Sequence, residues 1–225
     1  MVRGAAADKN VVAGSGIIPP EVLIEGYRRG LFPMADPETG SIGWYTADPR
    51  GVIDIHGFHV STRLQRTIRQ GKFETRVDSA FAEVVAGCAD REDRWISDTI
   101  FHSYVRLHQS GYAHSVEAWR NNQLEGGVYG VAIRGAFFGE SMFHRATDAG
   151  KVALVALLNR LQSRGFELFD TQMVTGGTSP FGAHLVPAAV YRKRLKAALA
   201  LNCSFSDEPA ARPVIRIGGS PERAE

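Results

Sequence analysis

The chain has 225 residues, 44% of them hydrophobic and 22% charged, a balance that excludes an unfolded polymer and fits one large domain, or one with a small companion. A formal net charge of +2 neither demands nor forbids a nucleic-acid partner, so any basic footprint has to be local. Cys88 and Cys203 form no CxxC pair, no stretch approaches the ~18 uncharged apolar residues of a membrane span, and the opening MVRGAAADKNVVAGSG lacks a signal-peptide core; a cytoplasmic protein without disulfides is expected.

Residues 1–15 are small and polar and are expected to fray. Pro19-Pro20 opens a helix over EVLIEGYRRG, with acids in its first turn, Arg28-Arg29 in its last, and Gly30 as the stop. From Leu31 to Gly51 the punctuation by Pro33, Pro37, Gly40 and Pro49 predicts a loop carrying the adjacent aromatics Trp44 and Tyr45. Residues 1–58 are taken as a small N-terminal domain, 59–205 as the main domain, and the polar stretch 206–225 as a disordered tail. Ser61 is placed to cap a helix ending at Gly71, KFETRV reads as a strand, and Asp78 is expected to cap a helix bearing Phe81, Val84, Val85 and Cys88. A further helix runs from Asp98 to Ser110. AHSVEAW, QLEGGVYGVAI and AFFGESMF, joined at Asn121-Asn122 and Arg134-Gly135, predict an antiparallel meander. KVALVALLNRLQSRG is the longest apolar helix, FELFDTQ the strand after it, and AAVYRKRLKAALA the last helix. Helices, then a hairpin array, then a β–α–β crossover predict an α+β fold with a mixed sheet.

Three residues stand out chemically. FELFDTQ ends on Asp170 and Gln172, which strand alternation puts on one face at the end of a crossover strand, where sites often lie. Glu140 follows Gly139 among Phe137, Phe138, Met142 and Phe143; burial there raises a carboxyl's pKa unless cations or donors meet it. No GxSxG motif supplies a nucleophile, so chemistry at these groups is positional, orienting an amine and sharing its proton. His56 and His59 make no helical metal face, and the GGVYG glycines lack phosphate-loop spacing. Arg63, Arg66, Arg69 and Lys72, with no acid between Ser61 and Phe73, form a basic run that reads either as a solvated face or as a polyanion contact.

In order and spacing, GYRRGLFPM (26–34), WYTADPR (44–50), DSAFAEVVAGCADRED (78–93), RWI (94–96), YVRLHQSGYAHSVEAW (104–119), GGVYGVA (126–132), GESMFHR (139–145) and FDTQ (169–172) resemble the leucyl/phenylalanyl-tRNA–protein transferases, from about Gly16 to Leu195. The resemblance implies a GNAT-like mixed-sheet domain beside a small N-terminal one. It also implies transfer of Leu, Phe or Met from its tRNA to proteins beginning with Arg or Lys, marking them for degradation. Neither a metal nor an organic cofactor is implied, and a monomer is expected. By motif, Gln172 is similar to the family's amine-holding glutamine, Asp170 to its supporting acid, and Glu140 to the acid of GES. Substrate contacts are implied for Gly139 and Ser141, for an apolar pocket of Val128, Phe137, Met142 and Phe169 with Trp95 nearby, and for Trp44 and Tyr45 beside the terminal adenosine. Arg63, Arg66, Arg69 and Lys72 are then expected to meet tRNA. Gly177, Pro180, Phe181 and Ala188 stand where the family has histidine, serine, leucine and arginine. Two alternatives remain: an acetyl-CoA-dependent N-acetyltransferase, against which QLEGGV and QSRGFE miss the final position of [QR]xxGx[GA], and a catalytically weakened tRNA-binding relative.

Overall fold

A computed structural model of the chain describes residues 7–12, 16–90 and 95–207. Ten strands and six helices follow in the order β1 (Ala7–Val12), α1 (Pro20–Arg28), β2 (Phe32–Ala35), β3 (Ile42–Tyr45), β4 (Arg50–Ile53), α2 (Thr62–Arg69), β5 (Glu74–Val77), α3 (Phe81–Ala89), α4 (Asp98–Gln109), β6 (Ala113–Arg120), β7 (Gln123–Ile133), β8 (Ala136–His144), α5 (Ala149–Ser163), β9 (Leu168–Gln172), β10 (His184–Val186) and α6 (Ala188–Ala200). The architecture is the expected α+β: a seven-stranded mixed sheet, ordered β10-β4-β9-β8-β7-β6-β5, flanked by helices, with a three-stranded sheet β1-β3-β2 from the N-terminal region. The expected tail is described only as far as residue 207; 208–225 lie outside the described residues.

Local signals explain much of this. The Ser61 hydroxyl accepts the Leu64 N–H at the start of α2, and Ser97 does the same for Ile100 at the start of α4. Asn121 and Asn122 both take positive φ, as a two-residue turn with the right-handed twist of its strands requires. The β8–α5–β9 unit is the only crossover among the described strands that joins a parallel pair, because parallel neighbours need a long connection.

Packing divides at the sheet. On one face α5 and Leu64 of α2 bury Ile53, Val116, Val128, Ala132, Phe137 and Phe169. On the other, α1, α3, α4 and α6 cover Tyr129, Val131, Ile133 and Phe138. Alternation along β7 and β8 sends neighbouring side chains into the two cores.

Three expectations need correction. Residues 7–12 pair with β3, although 1–15 were expected to fray. The loop expected over 31–51 holds three short strands, with Pro33 inside β2; β2 and β3 pair with each other as hairpin neighbours while β4 pairs with the distant β9 and β10, and four-residue segments gave no alternation to read. One of them, β4, belongs to the large sheet between β9 and β10 despite lying within 1–58. Asp78 does not cap α3: it takes φ +55, the N-cap is Ala80, and its carboxylate accepts Ser115 N–H at 2.8 Å and His114 Nδ1–H at 2.7 Å. His108 lies close by, with Nδ1 donating to the Ala113 carbonyl, so this Asp/His cluster works as a hydrogen-bonded clasp joining β5, α4 and β6.

Candidate active site

The site forms where β8 and β9 part. Their parallel ladder runs Ala136↔Leu168, Phe137↔Phe169 and Phe138↔Asp170. Both strands carry an irregularity just past that point. On β8 the pairing with β7 steps from Gly139 to Ser141, looping out Glu140; on β9 the pairing with β4 steps from Asp170 to Gln172, looping out Thr171. Gly139 is required there: a Cβ would lie 2.7 Å from Phe169 Cε2. A cavity of about 350 Å³ opens in the gap. Val128, Met142, Leu154 and Phe169 make it apolar, and Gly139, Glu140, Ser141 and Thr171 edge it with polar groups.

Asp170 and Gln172 are held together, though not by strand alternation. Gln172 leaves the strand at φ +54, and its backbone N–H turns back to Asp170 Oδ1 at 2.8 Å. Oδ1 also accepts Arg50 Nε–H at 2.9 Å, while Oδ2 accepts Arg50 Nη2–H at 2.8 Å and the Tyr191 hydroxyl at 2.6 Å. Four donors fill the acceptor positions of one carboxylate, so Asp170 is an anchor with no lone pair left for a proton. Arg50 and Asp170 are both fully buried. The guanidinium also donates to the Gly30 carbonyl and lies between the rings of Phe32 and Tyr191, 5.0 and 4.6 Å from their centroids. Burial works against its charge, Asp170 more than offsets this, and its pKa is raised overall.

Gln172 Nε2 donates to Glu140 Oε1 at 3.3 Å. The other Glu140 oxygen accepts the Tyr104 hydroxyl at 2.7 Å, and Tyr104 meets Tyr27 hydroxyl to hydroxyl beneath it. Burial pushes the Glu140 carboxyl up to about 7; hydrogen bonds from Tyr104 and Tyr27 oppose this, the charge of Asp170 adds to it, and Arg50 opposes it. Tyr27 and Tyr104 are pushed well above the ordinary tyrosine value, by burial first and by Glu140 second, so both remain neutral donors.

Of the expected pocket residues, Val128, Gly139, Ser141, Met142 and Phe169 line the cavity with Glu140. Phe137 is fully buried beneath it, edge-on to Phe169 and stacked on Phe205, and Trp95 packs beside the other core. Trp44 is 7% exposed, pressed so closely on α1 that a Cβ at Gly26 would collide with its ring; it presents no free face for a base. Tyr45 is half-buried against Phe32. Sequence reasoning missed Arg50, Tyr191, Tyr104 and Tyr27. Arg50 stands 120 residues from Asp170 after a proline, and the tyrosines read as ordinary buried helix positions.

The basic run divides. Arg63, Arg66 and Lys72 border an open basin of about 700 Å³ that Arg120 and Arg145 complete, whereas Arg69 faces a separate cleft with Phe58, Val60 and Val155. Arg63 is engaged by Asp148 at 2.7 Å. Arg145 also borders a smaller hollow with His144, and His144 borders the apolar cavity. Among the described residues no helix is long and apolar enough to cross a membrane.

Comparison with known proteins finds relatives over most of the chain. Residues 52–196 match the family described as leucyl/phenylalanyl-tRNA protein transferase, and residues 16–48 match its N-terminal domain. A leucyl/phenylalanyl-tRNA–protein transferase of Gloeobacter violaceus is 48% identical over 188 residues, 84% of this chain and 97% of the relative. One from Akkermansia muciniphila is 50% identical over 186 residues, 81% and 96% of the two chains. Among solved structures, L-PGS from Bacillus licheniformis matches at 8% identity and TM-score 0.40 over 66% of this chain and 56% of that one, too slight a likeness to argue from. The chain belongs to the leucyl/phenylalanyl-tRNA protein transferase family.

Proposed function

We propose that the chain moves Leu, Phe or Met from aminoacyl-tRNA to the α-amine of proteins beginning with Arg or Lys, in the cytoplasm and as a marker for degradation. One observation carries this reading: Gln172 is tied through its backbone N–H to Asp170 and through its side-chain Nε2 to Glu140, and Glu140 in turn lines the apolar cavity, which leaves the Gln172 side-chain carbonyl as the acceptor end of an amide bonded to the cavity wall. An aminoacyl ester is already activated, so no covalent enzyme intermediate is needed. The amine donates one N–H to Gln172 Oε1 and attacks the ester carbon; the N–C bond forms, the bond to the ribose oxygen breaks, and one amine proton leaves. Glu140, with a carboxyl near 7 on the cavity wall, takes that proton and passes it to the departing ribose oxygen, so the tRNA leaves with a free hydroxyl, and Asp170, its acceptor positions filled, keeps Gln172 in place.

The cavity's apolar wall suits Leu, Phe and Met, which it separates only modestly, since a methylene is worth about 1–3 kcal/mol. The tRNA backbone lies in the basin of Arg66, Lys72, Arg120 and Arg145, and its 3′ end follows Arg145 and His144 to the cavity. Of the divergent positions Gly177 borders the cavity, between Thr175 and Thr178, which supports an effect of that change on the bound side chain. The test is transfer from charged Phe-tRNA to a peptide beginning with Arg. Gln172→Ala is expected to reduce turnover far more than aminoacyl-tRNA affinity; equal loss in both contradicts the role given to Gln172.

A further inference from the structure

Thr171 is the residue looped out of β9, between the two residues of the amide–acid pair. It is 9% exposed, it borders the cavity beside Gly139, Glu140 and Ser141, and its hydroxyl is sealed from solvent without a hydrogen-bond partner among the described residues. Buried hydroxyls are almost always paired, and an orphan carries a desolvation penalty that an isosteric methyl would remove. The penalty has a use if a ligand supplies the missing partner. The cavity is otherwise apolar on its deep side, and the side chains it is proposed to hold offer no strong acceptor. The part of the donor common to all of them, the ester carbonyl, does.

Resting on the proposed transfer reaction, we infer that the Thr171 hydroxyl donates to the carbonyl oxygen of the bound aminoacyl ester and strengthens that bond as the oxygen gains negative charge. Adjacent Cα atoms lie about 3.8 Å apart, and an attacked carbon and its oxygen span about 1.2 Å. Because the bulge loops Thr171 out onto the cavity wall next to Gln172, a donor on residue 171 and the amine-holding side-chain carbonyl of Gln172 are assigned to the two ends of one reacting group. Rotation about the Cα–Cβ bond exchanges hydroxyl and methyl, which are similar in size, so the hydroxyl can turn to the cavity surface without repacking the wall.

The experiment compares wild type, Thr171→Val and Thr171→Ser in thermal unfolding and in steady-state transfer from Phe-tRNA to an Arg-initiated peptide. For Thr171→Val the expected result is a thermal midpoint equal to or above wild type, kcat lower by about 10-fold to 1,000-fold, and KM for Phe-tRNA within about twofold, as for an interaction made chiefly in the transition state. Thr171→Ser is expected to recover most of the lost turnover. A Thr171→Val protein with wild-type kcat overturns the inference and leaves the transfer reaction standing. A midpoint several degrees below wild type also overturns it, because the hydroxyl then has a structural partner. Failure of the wild type to transfer at all removes both.

Discussion

Replacing Glu140 by glutamine should make the protein more stable and less active, in a way that depends on pH. The carboxyl is moved from 4.5 to about 7 by burial, and each unit is worth about 1.4 kcal/mol. The sign follows from proton counting. Between those values the folded state holds a proton that the unfolded chain has released, so the folded state is favoured most below about 4.5, loses stability as pH rises to about 7, and is flat above. At pH 8 the wild type carries a penalty of roughly 3 kcal/mol for ionising Glu140 in place. Glutamine cannot ionise and escapes it. Its oxygen still accepts from Tyr104, but its NH2 then faces Gln172 Nε2 donor to donor. The lost hydrogen bond costs about 1 kcal/mol unless the Gln172 amide turns over, and a turned amide presents NH2 rather than C=O to the incoming amine. Glu140→Gln should therefore gain about 2–3 kcal/mol over wild type at pH 8 and, at pH 4.5, between nothing and a loss of about 1 kcal/mol, while kcat falls at every pH. Urea unfolding of both proteins from pH 4.5 to pH 8 measures the difference, in which all other titrating groups cancel. Parallel stability profiles across pH 5–8 would refute the reasoning, for they would mean that Glu140 titrates alike in both states.

Arg50→Met leaves Asp170 fully buried without its cation, with only the Gln172 N–H and the Tyr191 hydroxyl as donors, and should cost about 3–5 kcal/mol in denaturant unfolding, with part recovered by adding Asp170→Asn. In the basin, Arg66→Ala and Arg145→Ala should each flatten the salt dependence of tRNA binding by about one unit of log K against log salt, read by filter binding. Arg69→Ala, facing the other cleft, should leave that slope as it is.

What could be read before the structure was whatever local chemistry decides. Ser61 and Ser97 cap helices, Asn121-Asn122 and Arg134-Gly135 turn hairpins, and α6 spans the very residues its pattern marked. Glu140 was legible because an acid after a glycine among aromatics has few ordinary explanations. What distant partners decide was hidden. β4 exists through pairing with β9 and β10 far along the chain, and β2 and β3, though neighbours, are four residues each in a proline-punctuated stretch, so all three read as loop. Asp78 resembled a cap, but a strand edge and a histidine claimed its carboxylate first. Trp44, read as part of a loop, is a core residue of the small sheet, and the place beside the terminal adenosine that the family resemblance implies for it finds no exposed ring face.

The hydrogen bonds around Gln172 also explain why the N-terminal region matters to chemistry carried on β8 and β9. From Gln172 one arm runs through Asp170 to Arg50 and ends on the Gly30 carbonyl, just past the end of α1. The other runs through Glu140 to Tyr104 and ends on the Tyr27 hydroxyl, in the last turn of α1. Both arms thus return to one helix, in the part of the chain matched by the N-terminal domain model and outside the range of the larger one. An amide alone has two nearly equivalent orientations, and only opposed partners distinguish them. Here a carboxylate takes Nε2, its own second oxygen is occupied by a tyrosine, and the backbone is tied to an acid that a guanidinium and a second tyrosine hold still. Removing α1 with the turn after it would leave every group named at the cavity in the chain, but it would take away the Gly30 carbonyl and the Tyr27 hydroxyl on which both arms end.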